Sequence, residues 1–213
     1  WVQTIRARSA SGLPIGPWKD RSVRFDQILT RSQGADIAAE IAALRAPGRI
    51  IAEGVHQSQN GGLERFQFLL DEPSRAWALD RGEAGRTTRR EHFADGVLHN
   101  FDGATEVPFE RSVRDPVWMA MPELMVSWGR GHESFSPMLA QRIGTRSILL
   151  TFEHENDPAF RTTLVVDEHD GIARRSMEYG GGTIITSVRT GAPDEVLPPA
   201  LFEPLTDWIQ SDY

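Results

Sequence analysis

Apolar residues recur along the chain in two rhythms, and the change between them divides it. Over 35–45, Ile37, Ile41 and Leu44 fall at i, i+4 and i+7 among helix-favouring alanines, and Pro47-Gly48 follows. This spacing predicts an amphipathic helix. From residue 49 onward the rhythm becomes alternation, punctuated by Asn60-Gly61-Gly62, Asp71-Glu72-Pro73-Ser74, Asp95-Gly96, Asn156-Asp157-Pro158, Asp170-Gly171 and Gly180-Gly181-Gly182. Such clusters supply tight turns. Strands are expected at 49–58, 63–70, 74–80, 86–93, 97–101, 146–155, 161–167, 172–179 and 183–190. Phe66, Phe68 and Leu70 share one face, Trp77 and Leu79 share a face with Arg75, Ile148, Leu150 and Phe152 share another, and so do Leu164 and Val166. Strands joined by short turns pair antiparallel. No strand–helix–strand alternation occurs, which disfavours a nucleotide-binding α/β fold.

Residues 111–145 interrupt the strands. Trp118, Met121, Met125 and Trp128 follow i, i+3, i+7 and i+10, so 115–129 reads as mostly helical. Pro122 lies inside it and implies two short helices or one kinked helix. Residues 118–128 hold three of the five methionines and two of the six tryptophans. Methionine is unbranched and adapts to variable apolar ligands. The segment is therefore either an ordinary helix packed on the sheet or a mobile apolar lid. Residues 1–33 are rich in turn formers. The run from Gly12 to Trp18 cannot be a helix, and its Leu13, Ile15 and Trp18 are expected to pack on the body. Residues 23–28 read as a short strand or a helix start. The tail from Pro198 to Tyr213 reads as one or two helical turns anchored by Leu201, Phe202, Leu205, Trp208 and Ile209. The expected organisation is one α+β domain, 34–213, with 1–33 as an irregular N-terminal segment.

Composition narrows the function classes. At 39% hydrophobic and 25% charged residues the chain has the make-up of an ordinary globular protein. No stretch approaches the ~20 apolar residues of a membrane-spanning helix. A net charge of −7 argues against a dominant nucleic-acid surface. There is no cysteine, so disulfides, thiolate metal sites and cysteine nucleophiles are excluded. The chain opens on Trp1, the mark of a processed or trimmed product.

The search for chemistry returns little. There is no Gly-x-Ser-x-Gly elbow, no phosphate-binding loop and no His-Glu-x-x-His. Two clusters have metal-ligand composition: Glu153, His154, Glu155, Asp157 and Asp167, Glu168, His169, Asp170. If 146–155 and 161–167 form a hairpin, they lie at its opposite ends, about 20 Å apart. Each is expected to be a solvated turn without metal. Arg89-Arg90 and Arg174-Arg175 are the densest basic spots, but neighbours on a strand point to opposite faces, so neither pair forms a patch by itself. No catalytic residue or cofactor is expected, and the chain reads as a non-enzyme.

Several stretches resemble the lipoprotein-carrier (Lol-type) superfamily of the bacterial envelope, which includes mycobacterial lipid-carrying lipoproteins and a sensor that binds anti-sigma factors. These are Ser147 to Phe152 followed by Thr163 to Arg175, the His92 to Phe101 hairpin, and the ending Leu197 to Phe202. The resemblance covers about residues 35–204. It implies a strongly curved antiparallel half-barrel with helices covering its concave side, and an extracytoplasmic location, periplasm or cell envelope, anchored through a removed N-terminal segment. It also implies an apolar cavity for a lipid or lipoprotein acyl chain. The candidate lining is Phe66, Phe68, Trp77, Leu79, Trp118, Met121, Met125, Trp128, Ile148, Leu150, Phe152, Leu164 and Val166. The alternative is an envelope interaction or signalling module with a filled core, whose partner is a membrane-associated protein. A hydrolase with an unrecognised site is the third reading.

Overall fold

The structure is a computed structural model, and it describes residues 27–28, 31–83, 89–128, 135–197, 200 and 202. The expectations for 1–26, and for all of the tail except 200 and 202, lie outside the described residues.

A two-residue strand β1 (Gln27–Ile28) precedes helix α1 (Arg31–Leu44). Strands β2 (Arg49–Gln57), β3 (Leu63–Asp71), β4 (Ala76–Gly82), β5 (Arg89–Ala94), β6 (Val97–Asn100) and β7 (Gly103–Glu106) follow. After α2 (Phe109–Ser112) come three 3-10 turns, Val117–Ala120, Pro122–Leu124 and Val126–Trp128. Strands β8 (Phe135–Ile143), β9 (Ser147–His154), β10 (Arg161–Asp167), β11 (Ala173–Glu178) and β12 (Gly181–Thr190) complete the described fold. All twelve strands form one antiparallel sheet in the order β1-β8-β9-β10-β11-β12-β2-β3-β4-β5-β6-β7. It is open, with β1 and β7 at its edges. The β12–β2 pairing joins the two hairpin groups across the long sequence gap.

The expected strands form within a few residues of their predicted limits, and α1 starts four residues earlier than its periodicity suggests. Two strands escaped the pattern. β7 reads Gly-Ala-Thr-Glu, with no apolar residue to mark a face, and all four residues are exposed. β8 contains Pro137, which argues against a strand. It is accommodated where the β8–β9 register shifts between Pro137 and Leu139. Further shifts fall at Val165/Val166 and Ile185/Ser187. Each such bulge bends its strand and increases the local twist.

The register sorts side chains to two faces. Leu150 stands opposite Leu164, Ala52 opposite Phe68, Phe68 opposite Leu79, and Trp77 opposite Phe93. All are buried and belong to one core, completed by Ile37 and Ile41 of α1. Gly54 permits the closest approach within this face. A Cβ there would meet the Phe66 ring at 2.3 Å and the Ile184 carbonyl at 2.2 Å. On the other face Ile51 and Leu69 make a small second cluster with Leu197. That covering stretch is held by buried Asp80, which accepts from Arg90 at 2.6 and 2.7 Å and from the Ala200 N–H at 3.2 Å.

Candidate functional site

The inner face of the sheet and the segment packed on it bring all thirteen candidate lining residues into one apolar cluster. Phe66, Phe68, Trp77, Leu79, Ile148, Leu150, Phe152, Leu164 and Val166 are buried on the strands. Met121 and Met125 are buried on the cover, while Trp118 and Trp128 are half-buried against it. The Trp128 ring meets Phe152 edge-on at 4.8 Å, and Phe109 of α2 meets Phe93 at 5.7 Å. Trp77 donates its indole N–H to the Ser112 hydroxyl at 3.1 Å, which in turn donates to the Phe109 carbonyl at 2.8 Å. The cover thus touches the sheet from β5 to β9.

The segment is not the helical stripe its spacing suggests. Its backbone leaves helical geometry at Met121 (φ −135°, ψ 62°) and again at Met125 (φ −64°, ψ 152°). Pro122 accounts for the first break, because it removes the N–H that a continuing helix needs. As a result Met119 and Ala120, which a continuous helix would turn away from the stripe, are buried together with Val117, Met121 and Met125. The indole N–H groups of Trp118 and Trp128 and the Ser127 hydroxyl are buried without a hydrogen-bond partner among the described residues. Arg45, just past α1, clamps this cover. Its nearly buried guanidinium makes a two-pronged ion pair with Glu123 and donates to the Ala120 carbonyl at 3.1 Å.

At the end of the inner face formed by the β2–β3 and β11–β12 turns, the lining becomes polar. His56 stands opposite Glu64 and Thr183, and Phe66 opposite Arg81. These residues, with Glu178 and with Asp115 and Pro116 from the cover, line a recess of about 280 Å³. His56 Nδ1 and the Thr183 hydroxyl share a hydrogen bond of 2.9 Å. Glu64 pairs with Arg89 at 2.8 Å, and Arg81 lies 3.7 Å from Glu91. Asp115 is open to the recess but closely surrounded by protein. Desolvation, and secondly the Glu178 charge, push its carboxyl up to about 6, against opposing pulls from Arg81 and His56. Of the thirteen candidate lining residues, Phe66 forms part of this wall. Extending the Phe68–Phe66 phase one step to Glu64 was the available sequence signal for the recess. Asp115 carried none.

The two acid-and-histidine turns are built from ion pairs and caps. Asp167 accepts from Arg146 at 2.8 Å and from the His169 N–H at 2.9 Å, and Arg174 pairs with Asp170. Burial raises the Asp167 carboxyl, but these partners outweigh it and leave it below its ordinary range. His154 lies between Phe135 and Phe160, at 5.1 and 6.4 Å. Among the described residues no group of three or more His, Asp or Glu could hold a metal ion. No described helix is long and apolar enough to cross a membrane.

No protein-family model matches the chain, and no curated protein matches it. Solved structures do. The crystal structure of MucB is 14% identical with a TM-score of 0.45, and covers 85% of this chain and 63% of its own. The complex of Pseudomonas aeruginosa MucA and MucB is 14% identical with a TM-score of 0.43, covering 84% and 61%. A LolA superfamily protein from Nitrosomonas europaea is 8% identical with a TM-score of 0.36, covering 78% and 94%. The chain thus spans about three fifths of the MucB chains it matches. The superfamily of the sequence resemblance is represented among these structural neighbours.

Proposed function

We propose that the chain binds an acyl chain of a lipid or lipoprotein between the inner face of its sheet and the segment over 109–128, without catalysing a reaction. On this reading the sheet is a half-barrel, its concave side is covered by that segment, and the protein works in the cell envelope. The observation that supports it most is the construction of the cover. A wide apolar sheet face is closed by single helical turns, broken at Met121 and Met125, with three buried methionines as filling. Isolated turns carry few backbone hydrogen bonds of their own and separate at lower cost than a continuous helix. Methionine refits to whatever replaces it.

The recess at the polar end is where an acyl chain would enter, with Phe66 as the first apolar contact. Its volume of about 280 Å³ is below the ~300–1,000 Å³ of ordinary ligand sites. Accommodation of an acyl chain therefore requires Met121 and Met125 to move out of the space they fill. The burial of the described inner-face residues in one cluster favours a second reading, an envelope interaction module in which the core stays closed and a membrane-associated protein is the partner.

A fluorescent fatty-acid probe separates the two. On the acyl-chain reading the wild-type chain takes up the probe, and Met125→Ala and Trp128→Ala change its affinity severalfold while lowering the melting temperature little. If the cover is permanent core, each truncation costs about 2–5 kcal/mol. That destabilisation, together with no uptake by the wild type, overturns the acyl-chain reading and leaves the interaction module.

A further inference from the structure

The outer face of the sheet carries a surface that the acyl-chain reading does not use. Along one row of the register, Arg175 on β11 stands opposite Ile184 on β12, Ile184 opposite Val55 on β2, and Val55 opposite Arg65 on β3. At the usual strand spacing the two arginine positions lie about 14 Å apart, with two aliphatic side chains between them. One row nearer the recess is Met177, opposite Gly182. Met177 and Ile184 are exposed, and so is Tyr179 in the β11–β12 turn, next to exposed Phe160 of the β9–β10 loop at the end of the sheet, 6.4 Å from His154. The Phe160 and Tyr179 rings meet edge to face at 5.9 Å.

Most described arginines of the chain are paired with carboxylates. Arg90, Arg146, Arg161, Arg174 and Arg189 each pair with a carboxylate. Arg65 and Arg175 have no hydrogen-bond or ion-pair partner among the described residues. The acids beside the aromatic pair are engaged: Glu153 by Arg161 at 3.4 Å, and Asp157 by the Ala159 N–H at 3.0 Å. Exposed aliphatic and aromatic side chains flanked by free guanidiniums suit a lipid headgroup layer. The rings sit among the headgroups, and the long arginine side chains reach phosphates while their stems stay in apolar contact. Arg65 and Arg175, against the exposed acid Glu53 diagonal to Arg65, leave these rows with a local positive excess in a chain of net charge −7, which favours an anionic partner.

We propose that this outer face docks on an anionic lipid surface, with Phe160 and Tyr179 entering the headgroup layer and Arg65 and Arg175 meeting lipid phosphates. Docking is shallow, because Asp157 and Glu153 keep their charges near the rings. The proposal does not depend on the acyl-chain reading.

The test is flotation of the full chain with vesicles of phosphatidylcholine alone and of phosphatidylcholine mixed with phosphatidylglycerol. Partitioning is expected with the mixed vesicles and to fall with salt. Arg65→Gln and Arg175→Gln are each expected to weaken it about fivefold, the contribution of one cation near an anionic surface. Phe160→Ser with Tyr179→Ser should abolish it. Arg189→Gln, which alters an arginine already paired with Glu195, should change nothing. Thermal melts check that each variant folds. Absence of partitioning, or partitioning unaffected by the four substitutions, overturns the proposal. Because the assay contains no soluble acyl probe, failure of acyl-chain uptake leaves its result intact, and the reverse holds.

Discussion

Asp115 ionises near 6 in the folded chain against an ordinary 3.8, because protein surrounds its carboxyl and Glu178 faces it. The folded state therefore holds a proton that the unfolded state has already released. Between about pH 4 and pH 6 this group makes the folded state less stable as pH rises, and the stabilisation is fully present only below the unfolded value. Asp115→Asn keeps the shape and removes the titration. Urea midpoints measured across this window should fall with rising pH less steeply in Asp115→Asn than in the wild type; identical slopes would show that Asp115 is freely solvated. Single residues of this kind were the least legible part of the sequence. Asp115 precedes a proline in an irregular stretch, where no periodicity assigns a face. The inward direction of the nine strand residues among the candidates was legible because alternation commits a whole strand to one face once its phase is known.

At the scale of elements, strands and turns could be read wherever side chains alternated and Asn-Gly or Asp-Gly closed the hairpin. They could not be read where tertiary context decided. β8 tolerates Pro137 at a bulge that only its partner strand reveals. The cover was legible as apolar and interrupted, yet its spacing suggested helical geometry that Pro122 and the backbone at Met121 and Met125 do not keep. Gly54 in mid-β2 resembles a weak point in the strand, but it is where the Phe66 ring and the β12 backbone come closest. Gly54→Ala is expected to destabilise the chain by at least about 2 kcal/mol through overpacking, read as a lower urea midpoint with unchanged slope. An unchanged midpoint would show that β2 and β12 have room to separate, against the tight inner face described here.

For the whole molecule, the decisive arrangement is a single open sheet whose inner face is apolar through most of its extent and polar at one end. The cover is clamped by Arg45 and Glu123 at its far part and meets the polar end through Asp115 and Pro116. The resemblance to lipoprotein carriers pointed to a curved antiparallel sheet from turns and alternation; the polar end and the Arg45–Glu123 clamp had no signal in it. Clamping one part of the cover while the other borders the recess favours opening at the recess, with the clamp as the fixed end. On the proposed acyl-chain reading, opening on that side would expose Phe66 and then the methionines, the order in which an entering chain would meet them. The most direct measurement is mass spectrometry of organic extracts from the gently purified full chain, quantified against protein. A co-purifying acyl lipid near one per chain is expected. Protein that carries no lipid, and takes none up when purified beside membranes, would show that the inner face is a closed core and that the chain works through its surfaces instead.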